Sequence, residues 1–500
     1  MYTISEIATI VDGLLYANFD KDYLIQDLLY DSRKVQGTKN ALFFALTTTK
    51  NDGHKYIDSL YNGNVRNFIV NKDFGNIKNY SHANFIVVEN TLQALQQLTK
   101  YHRKKFSIPV IGITGSNGKT AVKEWLYQLL CPDNKIVYSP NSFNSQIGVP
   151  LSVWNMSKDD QLGIFEAGIS KPGEMNALKE FIEPTIGIFT NIGSAHDESF
   201  MDVRQKVGEK LNLFRNVETL IVSSDHGLIM EGLTRTELPK KIRLFTWSSR
   251  KEDADLKINS IEKRSNETYI QAVYQGNTIA ITIPFVDNAA IENVIHCWAT
   301  MLLLGYSNEI IVERIARLTP IAMRLEMKQG INRCMIINDT YNSDVNSLQI
   351  ALDLMNSQHQ YQKRTVILSD ILQSRSSEHI LYKEIATLLK NKNIHRIIGI
   401  GDAICRQKNS FSIDKEFYKT TNDFFADFDV NKLDNEIVLI KGARRFNFER
   451  ISNYLSLKAH ETVLEVSLPN LIKNLNCYKA LLKPKTKIMV MVKAFGYGVG

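Results

Sequence analysis

The sequence is poor in cysteine, in like-charge runs and in long apolar stretches, and each shortage removes a class of protein. Its five cysteines, Cys131, Cys297, Cys334, Cys405 and Cys477, are scattered over 500 residues with no CxxC or CxxH spacing. That argues against a disulfide scaffold or a structural zinc site and suits a reducing compartment. No apolar stretch nears the ~18 residues that span a bilayer, and the N-terminus lacks a basic region followed by an apolar one. A soluble, cytoplasmic chain without membrane insertion is expected. Gly and Pro together are 37 of 500 residues, far below the roughly 25–30% of low-complexity chains. The net charge of +7 is spread without a run of five or six like charges. Such a balance suits anionic small molecules as well as nucleic acid, and no basic aromatic patch favours nucleic acid.

What is present is an ordinary globular chain of several domains. Thr3-Ile4-Ser5-Glu6 has capping-box spacing and opens a short amphipathic helix. Short apolar runs then alternate with polar turns, predicting a small α/β domain over residues 1–106 that ends at a charged segment and Pro109. From 107 to 319 strands such as Val110-Ile111-Gly112-Ile113, 162–166 and 186–190 alternate with helices, and 241–285 alternates like antiparallel strands. This predicts a mostly parallel sheet whose ligands sit at the carboxyl ends of its strands. Residues 320–458 repeat the alternation and predict a second, Rossmann-like domain. After 459 a strand at 462–467, a helix at 469–482 and a strand at 488–492 begin a further βαβ pattern.

Between the first central strand and its helix lies Gly112-Ile113-Thr114-Gly115-Ser116-Asn117-Gly118-Lys119-Thr120. Backbone N–H groups at such a turn cradle phosphates, Lys119 reaches the β and γ phosphates, and Thr120 holds Mg2+. Ile113 occupies the first glycine position of the strict pattern. The bland alternative is a tight glycine turn entering a helix. Glu166 ends one strand and His196 follows another, so an oxygen and an imidazole are placed to complete a magnesium site, although magnesium favours oxygen shells. Taken singly, His196 reads as a loop histidine and Glu166 equally as a helix cap.

GITGSNGKT, SFNSQIGVP, FEAGIS, TNIGSAH, EKLNLF, MRLE and NDTYNSD, in this order over about residues 25–450, resemble the ATP-dependent Mur ligases of bacterial cell-wall synthesis. Asp31-Ser32-Arg33, Asp52-Gly53-His54 and NDTYNSDVNSL are similar to the branch that joins D-alanyl-D-alanine to UDP-N-acetylmuramoyl tripeptide. The resemblance implies a three-domain α/β fold: a small UDP-substrate domain, a central P-loop ATPase domain and a C-terminal Rossmann-like domain. It implies that Gly115, Ser116, Asn117, Gly118, Lys119 and Thr120 hold ATP, with Asn293 at adenine, Arg324 at the hinge and Asp339 at ribose. Thr120, Glu166, His196 and Lys210 would ligate two magnesium ions, Lys210 as a carbamate; without the resemblance Lys210 reads as a solvated helix lysine. Lys119, His196 and Lys210 would be catalytic. Ser32 and Arg33 match the uridine-diphosphate positions, and Asn144 and Ser145 those that hold the muramoyl peptide. The chain departs from the family at Ala289, at Ser369-Asp370-Ile371-Leu372 and at Lys441-Gly442-Ala443-Arg444. The reaction implied is carboxylate activation as an acyl phosphate, followed by amine attack.

The tail, ending Met491-Val492-Lys493-Ala494-Phe495-Gly496-Tyr497-Gly498-Val499-Gly500, resembles the opening of alanine racemase, a (β/α)8 barrel. There Lys493 would be catalytic and hold pyridoxal 5'-phosphate beside Tyr497, in a longer bifunctional chain expected to be a homodimer. Other readings are a P-loop kinase or NTP-driven switch, a folylpolyglutamate-type ligase, and a scaffold that binds the UDP precursor without turnover. The kinase gives no reason for the N-terminal domain or for Lys210, the folylpolyglutamate type should lack that domain, and loss of Lys119, Glu166 or His196 would have favoured the scaffold.

Overall fold

The structure, a computed structural model, describes residues 1–34, 40–48, 51–140, 142–193, 199–236, 238, 242–265, 267–321, 325–341, 343–358, 360–372, 377–457, 468–483 and 486–490. Among the described residues three large sheets divide it, and two short antiparallel strands, Tyr2–Thr3 and Leu24–Ile25, form a fourth beside the first. In the first, α1 (Ile4–Ile10) begins at the Thr3/Glu6 capping box, whose reciprocal bonds satisfy the free N–H groups of the first turn. Strands β1 (Leu14–Ala17), β2 (Asp27–Leu29), β3 (Ala41–Phe44), β4 (Asn67–Asn71) and β5 (Asn84–Val88) form a sheet in the order β1-β5-β4-β3-β2, parallel except for β1. Helices α2 (Ile57–Asn62) and α3 (Thr91–Arg103) connect it, and Asn90 caps α3 by accepting from the backbone of Leu92 and Gln93.

The central sheet has nine strands. In chain order they are β6 (Val110–Thr114), β7 (Ile136–Tyr138), β8 (Leu162–Glu166), β9 (Ile186–Phe189), β10 (Thr219–Ser223), β11 (Arg243–Ser248), β12 (Leu256–Lys263), β13 (Thr268–Tyr274) and β14 (Asn277–Ile283). They are arranged β14-β13-β12-β11-β10-β9-β6-β8-β7. Strand β6 is flanked by β8 on one side and β9 on the other, because the chain first crosses to β7 and β8 and then returns past β6. That reversal opens a crevice at the carboxyl end of β6, the place where open α/β sheets bind ligands. Helices α4 (Lys119–Leu130), α5 (Gly148–Trp154), α6 (Glu174–Ile182), α7 (Val203–Leu211), α8 (Gly227–Arg235), α9 (Asn288–Leu303) and α10 (Asn308–Ala316) cover the sheet. Alternation correctly marks the β12/β13 and β13/β14 pairs as antiparallel, but β11 runs parallel to β10, and β12 parallel to β11. A half-buried strand alternates alike in either direction, and the crossover through α8 decides the matter.

The third sheet is β15 (Glu326–Gln329), β16 (Met335–Asp339), β17 (Lys363–Ser369), β18 (Arg396–Ile400), β19 (Asp414–Tyr418) and β20 (Glu436–Lys441), ordered β15-β16-β20-β17-β18-β19, with only β15 antiparallel. Its helices are α11 (Val345–Ser357), α12 (Glu378–Asn391), α13 (Asp402–Arg406), α14 (Thr421–Asp427) and α15 (Glu449–Leu455). In the tail, α16 (Leu468–Ala480) occupies the predicted helix, whereas 486–490 form no strand. An extended segment is stabilised by pairing, and no strand among the described residues receives this one. The predicted strand at 462–467 lies outside the described residues. Among the described residues no helix is long and apolar enough to cross a membrane.

Candidate active site

The phosphate loop leaves β6 and enters α4 at Gly118, whose φ of +81° lies in the left-handed region that favours glycine. A Cβ at Gly118 would fall 2.2 Å from Asn293 Oδ1, so the loop passes directly against α9. Lys119 turns back over the loop and donates to the carbonyls of Gly115 (2.8 Å) and Ser116 (3.0 Å). The loop is also laced to the segment after β9: Asn117 N–H donates to Asn191 Oδ1 at 2.9 Å, Ser116 N–H to Asn191 O at 2.9 Å, and Gly193 N–H to Ser116 Oγ at 2.9 Å.

Register brings the carboxylate to this loop. Glu166 pairs with Ile113 across β8 and β6, so its side chain arrives beside the start of α4. Thr120 Oγ1 donates to Glu166 Oε2 at 2.8 Å, while Glu166 Oε1 is fully buried without a hydrogen-bond partner among the described residues. A buried carboxylate oxygen with no donor is a cost unless a cation meets it. The oxygen pair of Thr120 and Glu166 therefore suits a hard divalent cation.

Lys210, on α7, is buried rather than solvated, and donates to Gly115 O at 2.9 Å. Burial, reinforced by the charges of Lys119 and Lys206, holds its amine well below the ordinary lysine range. A neutral amine is the nucleophilic form that carbamate formation requires. Lys206, one turn earlier on α7, is buried as well and donates to Gly193 O. Sequence reasoning passed over Lys206; its place four residues before Lys210, on the same helix face, was the available signal.

A cavity of about 310 Å3 extends from the loop across to the C-terminal domain. Asn117, Gly118, Trp125, Asn293 and Phe285 wall one side, and Asp339, Tyr341 and Lys441 the other. Trp125 and Phe285 stack at 4.8 Å, and Trp125 Nε1–H donates to Thr319 O at 3.0 Å, tying α4 to the linker before Pro320. Asn293 presents a buried Oδ1 with no hydrogen-bond partner among the described residues. Asp339 accepts from Lys441 Nζ at 2.5 Å, the two facing each other in register across β16 and β20. Ala289, the departure noted above, also lines this cavity.

The remaining predicted residues fall in two other places. Asn144 lies against Gly168, just after Glu166, and accepts from its N–H at 2.7 Å, whereas the exposed Ser145 accepts from Gly148 N–H at the start of α5. Ser32 and Arg33 belong to the N-terminal sheet's unit and do not line the cavity; Arg33 closes on Asp31 at 2.9 and 2.7 Å. His196, Arg324, Lys493 and Tyr497 lie outside the described residues. Among the described residues no group of three or more His, Cys, Asp or Glu side chains is spaced to hold a metal, so Thr120 and Glu166 are the oxygen donors in place.

Residues 113–301 match the family described as Mur ligase middle domain. The chain is 26% identical over 458 residues to the UDP-N-acetylmuramoyl-tripeptide--D-alanyl-D-alanine ligase of Bacillus subtilis, covering 90% of this chain and 97% of that one. It is 28% identical over 438 residues to the ligase of the same name from Borreliella burgdorferi, covering 85% and 92%. Among solved structures, MurF from Acinetobacter baumannii superposes with a TM-score of 0.77 at 22% identity over 91% of this chain and 98% of that one. The MurF ligase of Thermotoga maritima in complex with ADP gives 0.69 at 19% identity over 87% and 98%. Residues 113–301 thus match a Mur ligase middle domain, and the chain as a whole shares the fold of the MurF structures.

Proposed function

We propose that the chain is an ATP-dependent ligase of peptidoglycan precursor synthesis that joins D-alanyl-D-alanine to UDP-N-acetylmuramoyl tripeptide, working in the cytoplasm. The observation that carries the reading is the buried Thr120–Glu166 pair at the phosphate loop, with its unpartnered oxygen, in a chain that aligns almost end to end with ligases of that name.

In this reading the loop N–H groups and Lys119 take the charge of the phosphates, Lys119 exchanging the Gly115 and Ser116 carbonyls for the γ-phosphate. Thr120, Glu166, His196 and a carbamylated Lys210 hold Mg2+, which supplies charge neutralisation at the transferring phosphoryl group. Asn293 faces the adenine and Asp339 the ribose, across the cavity the two domains share. The tripeptide carboxylate attacks the γ-phosphorus and ADP leaves. The dipeptide amine then attacks the acyl carbon of the resulting acyl phosphate, and inorganic phosphate leaves. Ser32 and Arg33 bind the uridine diphosphate, Asn144 and Ser145 orient the muramoyl peptide, and Arg324 serves the hinge. Closure of the C-terminal domain over the cavity keeps water from the acyl phosphate.

The test is phosphate release from ATP with UDP-N-acetylmuramoyl tripeptide, with and without D-alanyl-D-alanine. Release that needs both, with a pentapeptide product by mass, supports the ligase; hydrolysis indifferent to either substrate refutes it. The further reading of an alanine racemase that takes pyridoxal 5'-phosphate on Lys493 beside Tyr497, in a dimeric full-length protein, is supported by the tail motif alone. Racemisation of L-alanine by the full-length product, lost in Lys493→Ala, tests it.

A further inference from the structure

His296 is a polar side chain in the most apolar helix of the central domain. It sits on α9 between Val294, Ile295, Cys297, Trp298 and Ala299, and all of them are buried. An imidazole in such a place costs free energy unless both ring nitrogens find partners. Both do. Trp247 Nε1–H donates to Nδ1 at 3.2 Å, with the two rings edge to face at 5.2 Å. An indole nitrogen only donates and a carbonyl only accepts, so the proton resides on Nε2 and is given to Thr190 O at 3.1 Å. Burial pushes the His296 pKa down to about 4, so the ring is neutral at physiological pH.

Thr190 is the anchor of the segment that holds the phosphate loop. Its N–H donates to Thr114 O at 2.9 Å and its Oγ1 donates to Asn117 O at 2.6 Å. That same Oγ1 lies 1.9 Å from where a Cβ on Gly115 would be, so loop and anchor are packed without slack. Asn191 and Gly193, next along the chain, make the remaining bonds to Ser116 and Asn117. One turn before His296, on the same face of α9, Asn293 packs against Gly118. The imidazole thus fixes the distance between the helix that carries Asn293 and the strand end that carries the loop.

We infer that His296 is a positioning residue for nucleotide binding, acting through Thr190 to hold the phosphate loop at the spacing from α9 that lets one nucleotide reach both Asn293 and Lys119. The inference rests on the nucleotide-binding part of the proposed function. A purely structural core histidine differs from it in kinetics: its loss lowers the amount of folded enzyme and leaves the ATP KM of the survivors unchanged.

The experiment measures binding of a fluorescent ADP analogue with Mg2+, together with steady-state KM values, in wild type, His296→Leu, His296→Gln and Trp247→Phe. Leucine fills the site without a donor, whereas the glutamine amide reaches the Nε2 position and donates to Thr190 O. Expected is a tenfold or greater rise in the nucleotide Kd and ATP KM for H296L, with H296Q within about threefold of wild type and the UDP-substrate KM unchanged in each. W247F, which keeps the imidazole but removes the bond that fixes its tautomer, raises the nucleotide Kd by a smaller factor of about two to five. H296Q as impaired as H296L, or equal nucleotide affinity in wild type, H296L and W247F, overturns the inference. If H296L does not fold, the comparison of H296Q with W247F decides: unchanged affinity in W247F, or a tenfold loss in H296Q, overturns it. A wild-type chain that binds no nucleotide overturns the functional reading as well, and is thereby told apart from failure of the inference alone.

Discussion

Replacing Gly118 by alanine probes the phosphate loop at its tightest point. At φ +81° an L side chain costs about 1–2 kcal/mol. The new methyl would also lie 2.2 Å from Asn293 Oδ1 and 3.0 Å from its Cγ, so the asparagine must swing aside or α9 must shift. Overpacking of this kind costs about 1–3 kcal/mol. Together these give about 2–5 kcal/mol, which for a domain of this size corresponds to a fall in Tm on the order of 10 °C. Because the displaced group is the one facing the cavity, the ATP KM should rise at least tenfold while the UDP-substrate KM holds. Thermal unfolding followed by circular dichroism and steady-state phosphate release measure the two effects. Asn293→Ala removes the atoms that the methyl strikes, so the double variant should recover about 1–3 kcal/mol relative to the sum of the singles and retain only the backbone strain. G118A with an unchanged Tm and ATP KM, or a strictly additive cycle, refutes the reasoning.

Lys210→Met should abolish turnover yet raise thermal stability at pH 7 in CO2-free buffer. Burial and the charges of Lys119 and Lys206 depress the folded pKa, so wild-type stability climbs as pH rises above that depressed value towards the ordinary lysine range. Unfolding curves between pH 7 and 9 should show that slope in wild type and a flatter one in K210M. His102 and His296 are each pushed down to about 4 by burial, so stability is full above the ordinary histidine range and falls as pH drops towards 4. The loss is roughly 3 kcal/mol per histidine at most, and urea titrations at pH 7, 5.5 and 4.5, with His102→Phe reducing the difference, check it. Trp125→Phe keeps the stack on Phe285 but removes the bond to Thr319 O, worth about 1 kcal/mol. Its turnover number should fall several-fold with nucleotide affinity nearly retained, as measured by phosphate release and titration.

The loop Gly115 to Thr120 and the strand ending at Glu166 were legible because their chemistry is local: a glycine turn between an apolar strand and a helix, and a carboxylate at a strand end. Burial of Lys210 was not legible, since a lysine at that spacing on a short helix reads as solvated until α7 is seen packed beneath the loop. His296 was hidden for a related reason. Its partners Thr190 and Trp247 lie 106 and 49 residues away, and the surrounding helix looks like plain core. The direction of β11 escaped because alternation reports which face is buried and says nothing of neighbours. The strand predicted at 488–492, unpaired over 488–490 while 491 and 492 lie outside the described residues, shows the converse: an apolar β-branched run states a propensity, and pairing must be supplied from elsewhere.

The cavity proposed to take the nucleotide draws its walls from two sheets' units, with Asn117, Gly118 and Trp125 on one side and Asp339, Tyr341 and Lys441 on the other. A ligand held there spends part of its binding free energy as adhesion between the domains, and by linkage whatever strengthens their contact tightens the ligand by the same factor. Substitutions on the outer rim of that contact, remote from any phosphate, should therefore behave as affinity variants. A small molecule that wedges the two walls apart would compete with ATP without resembling it.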